Sequence, residues 1–209
     1  MDRKSHSSGD AWSSMQALYG AALPSGDGGG TPTLFAVHKT EDNDKGYYGF
    51  MATMDVYGYN LNGGQMSSAA IWINNDEGDW KQDLDAITVG WLDKSSGDWL
   101  LHYGFNSAPA VVGHFPASLF DSLSKKATDI MFGGHVRYAK GVSSPAMGSG
   151  AFPSDKAASF WDLQLIDEDG NSIPIQNDLP SLVTDKSSYS ISPIEGAKFS
   201  YGGPGGKSA

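Results

Sequence analysis

Residues 129–138, DIMFGGHVRY, carry the clearest structural pattern in the chain. Side chains alternate along this stretch as they do in a β-strand with one buried face. The side expected to face a core holds Ile130, Phe132, Gly134, Val136 and Tyr138. The opposite side holds Met131, Gly133, His135 and Arg137. The pattern therefore predicts a strand whose second face combines polar residues with glycine.

The same period of two recurs along the chain and predicts a series of short strands. They are expected at residues 34–39, 47–59, 66–74, 84–92, 98–103, 159–167, 173–176, 182–191 and 198–201. Glycine- and Asn/Asp-rich turns such as 41–46 and 62–64 separate them. One short helix is predicted near 116–125, where Pro116 favours a helix start. We therefore expect an all-β fold, a jelly-roll-like antiparallel β-sandwich of two sheets.

Composition limits the classes of function and suggests how the chain is divided. The 209 residues include 27 glycines and no cysteine, and the net charge is −10. The acidic balance argues against nucleic-acid partners, and the missing thiols exclude disulfides and cysteine nucleophiles. Residues 1–33 are predicted to be a flexible arm and linker, since 24–32 read PSGDGGGTP. The β-sandwich domain is expected over 34–205, with a short tail at 206–209.

Targeting and metal signals are missing from the sequence. Residues 1–20 hold no apolar signal-peptide core, and no apolar run has the length of a membrane span. We therefore expect no membrane span, and either a cytoplasmic protein or the mature form of a secreted one. No metal or other cofactor is expected, because the five histidines are scattered, unless folding brings His102, His114 and His135 together.

The non-core faces of the predicted strands allow two interpretations. Ala70, Trp72 and Asn74 alternate with Ile71 and Ile73, and residues 84–92 place Ala86, Thr88 and Gly90 opposite Ile87, Val89 and Trp91. One interpretation is a solvated outer face. The other is a concave surface with a groove, where glycines let a ligand approach the backbone and Trp72 supplies apolar contact.

An ordered set of motifs resembles the neprosin domain, a family known for glutamic peptidases that cleave after proline. The matching stretches are YYG at 47–49, ATMDV at 52–56, AIWI at 70–73, DLDAITVGW at 83–91, VGHFPASLF at 112–120, FGGHV at 132–136, MGSGAFP at 147–153 and YGGPG at 201–205. The resemblance implies two antiparallel sheets with a cleft across the concave one. It also implies a mechanism in which two glutamates share the acid/base work on a water molecule.

The departures from the family pattern concern the catalytic positions. By the resemblance, the two family glutamates correspond to Thr88 and His135, so no catalytic residue is assigned. The stretch after Trp91 is also shorter than in the family. The residues expected to line the cleft are Trp72, Thr88, Gly90, Gly133, His135, Arg137 and Asp55.

These departures favour a binding function over catalysis. General acid–base catalysis contributes about 10²–10⁴-fold, so loss of both carboxylates should abolish useful turnover. We expect a non-catalytic binding or interaction domain whose cleft takes an extended peptide or glycan. One alternative is a proline-directed endopeptidase with a rebuilt acid/base site, in which Asp55 or Asp85 joins His135. Another is a recognition protein of the defence or toxin type.

Overall fold

Alternating apolar residues form two antiparallel sheets in the computed structural model, which describes residues 31–206 apart from residue 42 and the stretches 76–84, 88–90 and 105–107. In chain order the strands are β1 (Thr33–Lys39), β2 (Gly49–Met54), β3 (Gln65–Asn75), β4 (Asp85–Ile87), β5 (Trp91–Asp93), β6 (Asp98–Tyr103), β7 (Ala110–Phe115), β8 (Asp129–Tyr138), β9 (Met147–Gly148), β10 (Ala158–Ile166), β11 (Ser172–Pro174), β12 (Ser181–Val183), β13 (Ser190–Ile191) and β14 (Phe199–Gly203). The expected all-β, two-sheet architecture is confirmed.

One sheet has five strands and the other has nine. The five-stranded sheet has the order β12-β1-β8-β3-β4, so β8 lies at its centre. The nine-stranded sheet follows β13-β14-β10-β2-β5-β6-β7, with β11 paired to β10 and β9 paired to β14. All of these strand pairs are antiparallel.

The main core lies between the two sheets and takes the residues that the strand alternation predicts. From β8 it includes Ile130, Phe132, Val136 and Tyr138, all at most 1% exposed. Phe132 stacks on Phe50 of the nine-stranded sheet with ring centroids 4.7 Å apart. Burial of these rings and branched chains is the main favourable contribution to folding.

At Gly134, two side chains of the nine-stranded sheet pack directly against β8. A Cβ built at this position would lie 2.5 Å from Cε2 of Tyr201 and 2.7 Å from Sδ of Met147. Both neighbours are core residues at most 1% exposed. Gly134 is therefore required by packing inside the sandwich, and not by access for a ligand.

A buried histidine connects the two sheets near one end. His38 on β1 is 1% exposed, and its ring meets Phe199 of the other sheet edge-on at 4.8 Å. Its Nδ1 lies 3.1 Å from the carbonyl oxygen of Leu179, and its Nε2 lies 3.0 Å from that of Ser192. Burial lowers the pKa of His38, so the ring is neutral at neutral pH.

Two stretches predicted as single strands are each divided between the sheets. Residues 84–92 contribute β4 to the five-stranded sheet and β5 to the nine-stranded sheet. Residues 182–191 likewise contribute β12 to one sheet and β13 to the other. The alternation of apolar residues in the sequence does not reveal such a crossover. It depends on the burial of one face of a strand and not on which sheet supplies the neighbouring strands.

The predicted helix is a single 3-10 turn at Ala117–Leu119. The Trp99 indole donates a hydrogen bond to the Leu123 carbonyl (2.8 Å), and Asp98 accepts one from the Ala117 amide. These bonds hold the segment against β6, and the backbone is extended again at Phe120. Strands β7 and β9 were not predicted, because neither AVVGHF nor MG alternates regularly.

Other sequence expectations fall partly outside the described residues. The proposed arm at 1–33 is described only from residue 31, and the tail at 206–209 only at residue 206. No helix within the described ranges has the length and apolarity to cross a membrane.

Substitution of Gly134 tests the close approach of the sheets. Gly134→Val should lower the free energy of unfolding by about 3 kcal/mol, because the added side chain overlaps Tyr201 and Met147. Gly58→Val is the matched control, since nothing lies within 4 Å of a Cβ at Gly58. Urea unfolding of both variants measures the difference, and equal stabilities would contradict the assignment.

Candidate binding site on the outer face of the five-stranded sheet

The face of the five-stranded sheet that points away from the main core, here called the outer face, brings His135 beside two residues of neighbouring strands. In the strand register Phe35 of β1 lies opposite His135, and Ser68 of β3 lies opposite it on the other side. Ser68 Oγ and His135 Nδ1 are 2.7 Å apart, a short hydrogen bond. The three residues therefore form one row across the sheet.

Two aromatic rings enclose the imidazole. Phe35 stacks on His135 with centroids 5.9 Å apart and an interplanar angle of 21°. Trp72 meets the same ring edge-on at 5.2 Å, and Phe35 and Trp72 are 6.2 Å apart. Ala70 and Gly133 oppose each other in the adjacent row of the sheet. Because these two residues are small, the larger rings can meet above them.

The packing of the sheet itself requires a glycine at position 133. Its φ of +146° is rarely adopted by residues with side chains. A Cβ at Gly133 would also overlap the backbone of β1 at Ala36 and would lie 2.8 Å from Cα of Val37. Close approach of β1 and β8 accounts for this glycine without any ligand.

The aromatic part of the site is enclosed, and the polar part is partly accessible. Phe35, Trp72 and Met131 are each at most 2% exposed and belong to a second, smaller apolar cluster on the outer face. Trp72 is therefore not an exposed stacking surface. Three neighbours, Ser68, His135 and Arg137, are partly exposed. We call these three residues the polar strip.

Charge in the polar strip comes from Arg137. Burial, with a smaller effect of the Arg137 charge, lowers the pKa of His135 from 6.5 to about 4. The imidazole is therefore neutral at neutral pH. The Nε of Arg137 is buried without a hydrogen-bond partner, and no acid in the described part of the chain forms an ion pair with the guanidinium.

Asp55, the one remaining predicted cleft residue that the structure describes, is not brought to this site. Thr88 and Gly90 lie outside the described residues. Asp55 follows β2 in the other sheet, where its carboxylate accepts a hydrogen bond from the Ser159 amide at 3.0 Å. Asp85 pairs with Asn75, seven residues along β3 from Ser68, or about 23 Å. The Asp55 carboxylate therefore lies in the other sheet, and the backbone of Asp85 is far along the sheet from His135.

The fold does not bring His102, His114 and His135 together. His135 lies in the five-stranded sheet, whereas His102 and His114 lie on β6 and β7 of the other sheet. Across the described ranges, no group of three or more His, Asp or Glu side chains is positioned to hold a metal ion.

Sequence reasoning missed two partners of His135. Ser68 and Phe35 touch it, yet neither was among the expected cleft residues. Ser68 shares its strand face with Ala70 and Trp72, so alternation alone could have included it. Phe35 could not be found in this way, because its contact depends on the register of β1 against β8.

Comparison with known families supports the resemblance that the motifs indicated. The family model described as Neprosin matches residues 91–204. This span is more than half of the 209 residues. It includes His135 and Arg137, whereas Phe35, Ser68 and Trp72 precede it.

The lowered pKa of His135 predicts a pH-dependent stability. An unfolded histidine gains its proton near pH 6.5, whereas the folded one gains it near pH 4. The unfolded state therefore binds more protons between these values, and stability falls as the pH falls through this window. The native chain should lose about 2–3 kcal/mol between pH 7.5 and pH 4.5 from this residue alone.

His135→Gln provides the control, because glutamine does not titrate. Urea unfolding at the two pH values should show that the variant loses about 2–3 kcal/mol less stability than the native chain. Acids and His38 contribute equally in both proteins and cancel in the comparison. Identical pH profiles would show that His135 titrates normally in the folded state.

Proposed function

The chain belongs to the neprosin family, and we propose that it is a non-catalytic member whose domain, residues 34–205, binds an extended peptide or glycan. The observation that carries this proposal is the state of His135. By the family resemblance it takes the place of a catalytic glutamate. It is a neutral imidazole bonded to Ser68, and no described carboxylate lies near enough to form an ion pair with it.

The chemistry of this group argues against the family mechanism. A glutamic peptidase needs one carboxylate to activate water and a second acid to protonate the leaving amine. An imidazole with a pKa of about 4 is a weak base near neutral pH, and it carries no proton to donate as an imidazolium. The rate contribution of a matched acid and base is therefore missing.

The polar strip supplies groups that suit binding. Ser68 and neutral His135 can exchange hydrogen bonds with a polymer backbone, and Arg137 offers donors in a fixed fork. Since the guanidinium has no acidic partner among the described residues, a ligand with a carboxylate gains most from it. The ligand we propose is therefore an extended peptide or glycan that carries acidic groups.

Arrays of peptides and glycans test this proposal. The native chain should bind acidic members, and Arg137→Met should weaken that binding at least about tenfold, because a charge-assisted hydrogen bond is lost. Lys140→Met is the matched control, since Lys140 is exposed in the turn after β8. Binding that survives Arg137→Met, or no binding above background, would contradict the proposal.

The Ser68–His135 hydrogen bond supports one competing function, a hydrolase. A serine hydroxyl 2.7 Å from an imidazole is the geometry of a nucleophile and its base. Against this, the lowered pKa makes His135 a weak base, and no described acid orients its ring.

A fluorophosphonate probe and a proline-rich peptide substrate distinguish the two functions. We expect no labelling of Ser68 and no cleavage from pH 3 to pH 8. Labelling or cleavage that disappears in both Ser68→Ala and His135→Ala would establish the hydrolase instead. Ser118→Ala is the control for nonspecific labelling, because Ser118 lies in the 3-10 turn and is not part of the polar strip.

A further inference from the structure

Strand β7 leaves one edge of the nine-stranded sheet open. It is the last strand in that sheet, and in the described part of the chain it pairs only with β6. An edge strand presents a row of backbone N–H and C=O groups that can pair with another strand. The first three residues of β7 are exposed. Among them, Val111 is 56% exposed and Val112 is 59% exposed.

The other described sheet edges are much shorter. Strand β13 ends the same sheet with two residues, and β12 and β4 end the five-stranded sheet with three residues each. Strand β7 has six residues. Very short edge strands are one way in which proteins prevent edge pairing, and β7 does not have that protection.

The composition around β7 also favours contact with another protein surface. Residues 103–120 contain no Asp, Glu, Lys or Arg, although the chain carries a net charge of −10. Charged side chains, especially lysine, are the usual means of blocking an edge, and none is present here. Tyr103 on β6, opposite Ala110, and Leu119, in the 3-10 turn that follows β7, add exposed apolar surface, each 63% exposed.

These features suit a second copy of the same chain. Two molecules with a charge of −10 repel each other over most of their surfaces, so an uncharged edge is the favourable place for them to meet. Pro109 and Pro116 cannot donate backbone hydrogen bonds and bound the window on both sides. The open edge is thus limited to residues 110–115, a self-complementary segment for antiparallel pairing.

We propose that two copies of the chain associate through β7, antiparallel and about a two-fold axis, to form one sheet that continues across both molecules. In this arrangement Val111 lies opposite His114 of the other copy, and the exposed valines are covered. The ladder between β6 and β7 shifts register beside Val112. We therefore expect the new hydrogen bonds mainly on the two sides of that residue.

Analytical ultracentrifugation of the full chain over a range of micromolar concentrations tests the association. The native chain should show a concentration-dependent dimer. Val112→Lys should weaken it at least about tenfold, because it places two ammonium groups at the shared edge. Val112 is exposed, so the variant should fold normally.

Val56→Lys is the matched control, because it makes the same change of residue and charge at a site 83% exposed after β2. Hydrogen exchange provides a second readout, since the amides of 110–115 should become more protected as concentration rises. A native chain that stays monomeric would overturn the proposal. So would a dimer that Val112→Lys leaves intact, or one that Val56→Lys weakens equally.

Discussion

The close approach of the two sheets at Gly134 is the constraint on which the rest of the fold depends. Tyr201 and Met147 occupy the space that a side chain on this residue would need. Their contact fixes which face of β8 points inward, and therefore which residues of the strand point outward. Because side chains alternate strictly along a strand, His135 and Arg137 are placed on the outer face by the same packing that buries Phe132 and Val136.

On the outer face, burial is the main cause of the lowered pKa of His135, and a neighbouring positive charge adds to it. Arg137 disfavours a proton on His135, since two positive charges would then lie close together. The same guanidinium beside a carboxylate would favour the ionised form. His135 is a neutral imidazole at neutral pH, and no acid among the described residues forms an ion pair with Arg137.

The parts of the fold that depend on the local alternation of apolar and polar residues could be predicted from the sequence. Strand β8 has the predicted bounds, and β1 and β3 differ from prediction by a residue or two. The divided stretches 84–92 and 182–191 were wrong as single strands, because alternation does not identify the sheet. Strand β7 was missed because Val111 and Val112 are adjacent apolar residues. At the site, Trp72 and His135 share a face as expected, whereas the contact of Phe35 with His135 required the register between strands.

The surroundings of His38 have a consequence for how the two sheets are joined. Carbonyl oxygens lie near both of its ring nitrogens, one on the segment before β12 and one just after β13. A neutral imidazole has a single N–H, so it can donate to only one of these oxygens at a time. The other oxygen then faces a nitrogen lone pair. The choice of tautomer thus decides whether the ring is bonded to a segment of its own sheet or of the opposite one.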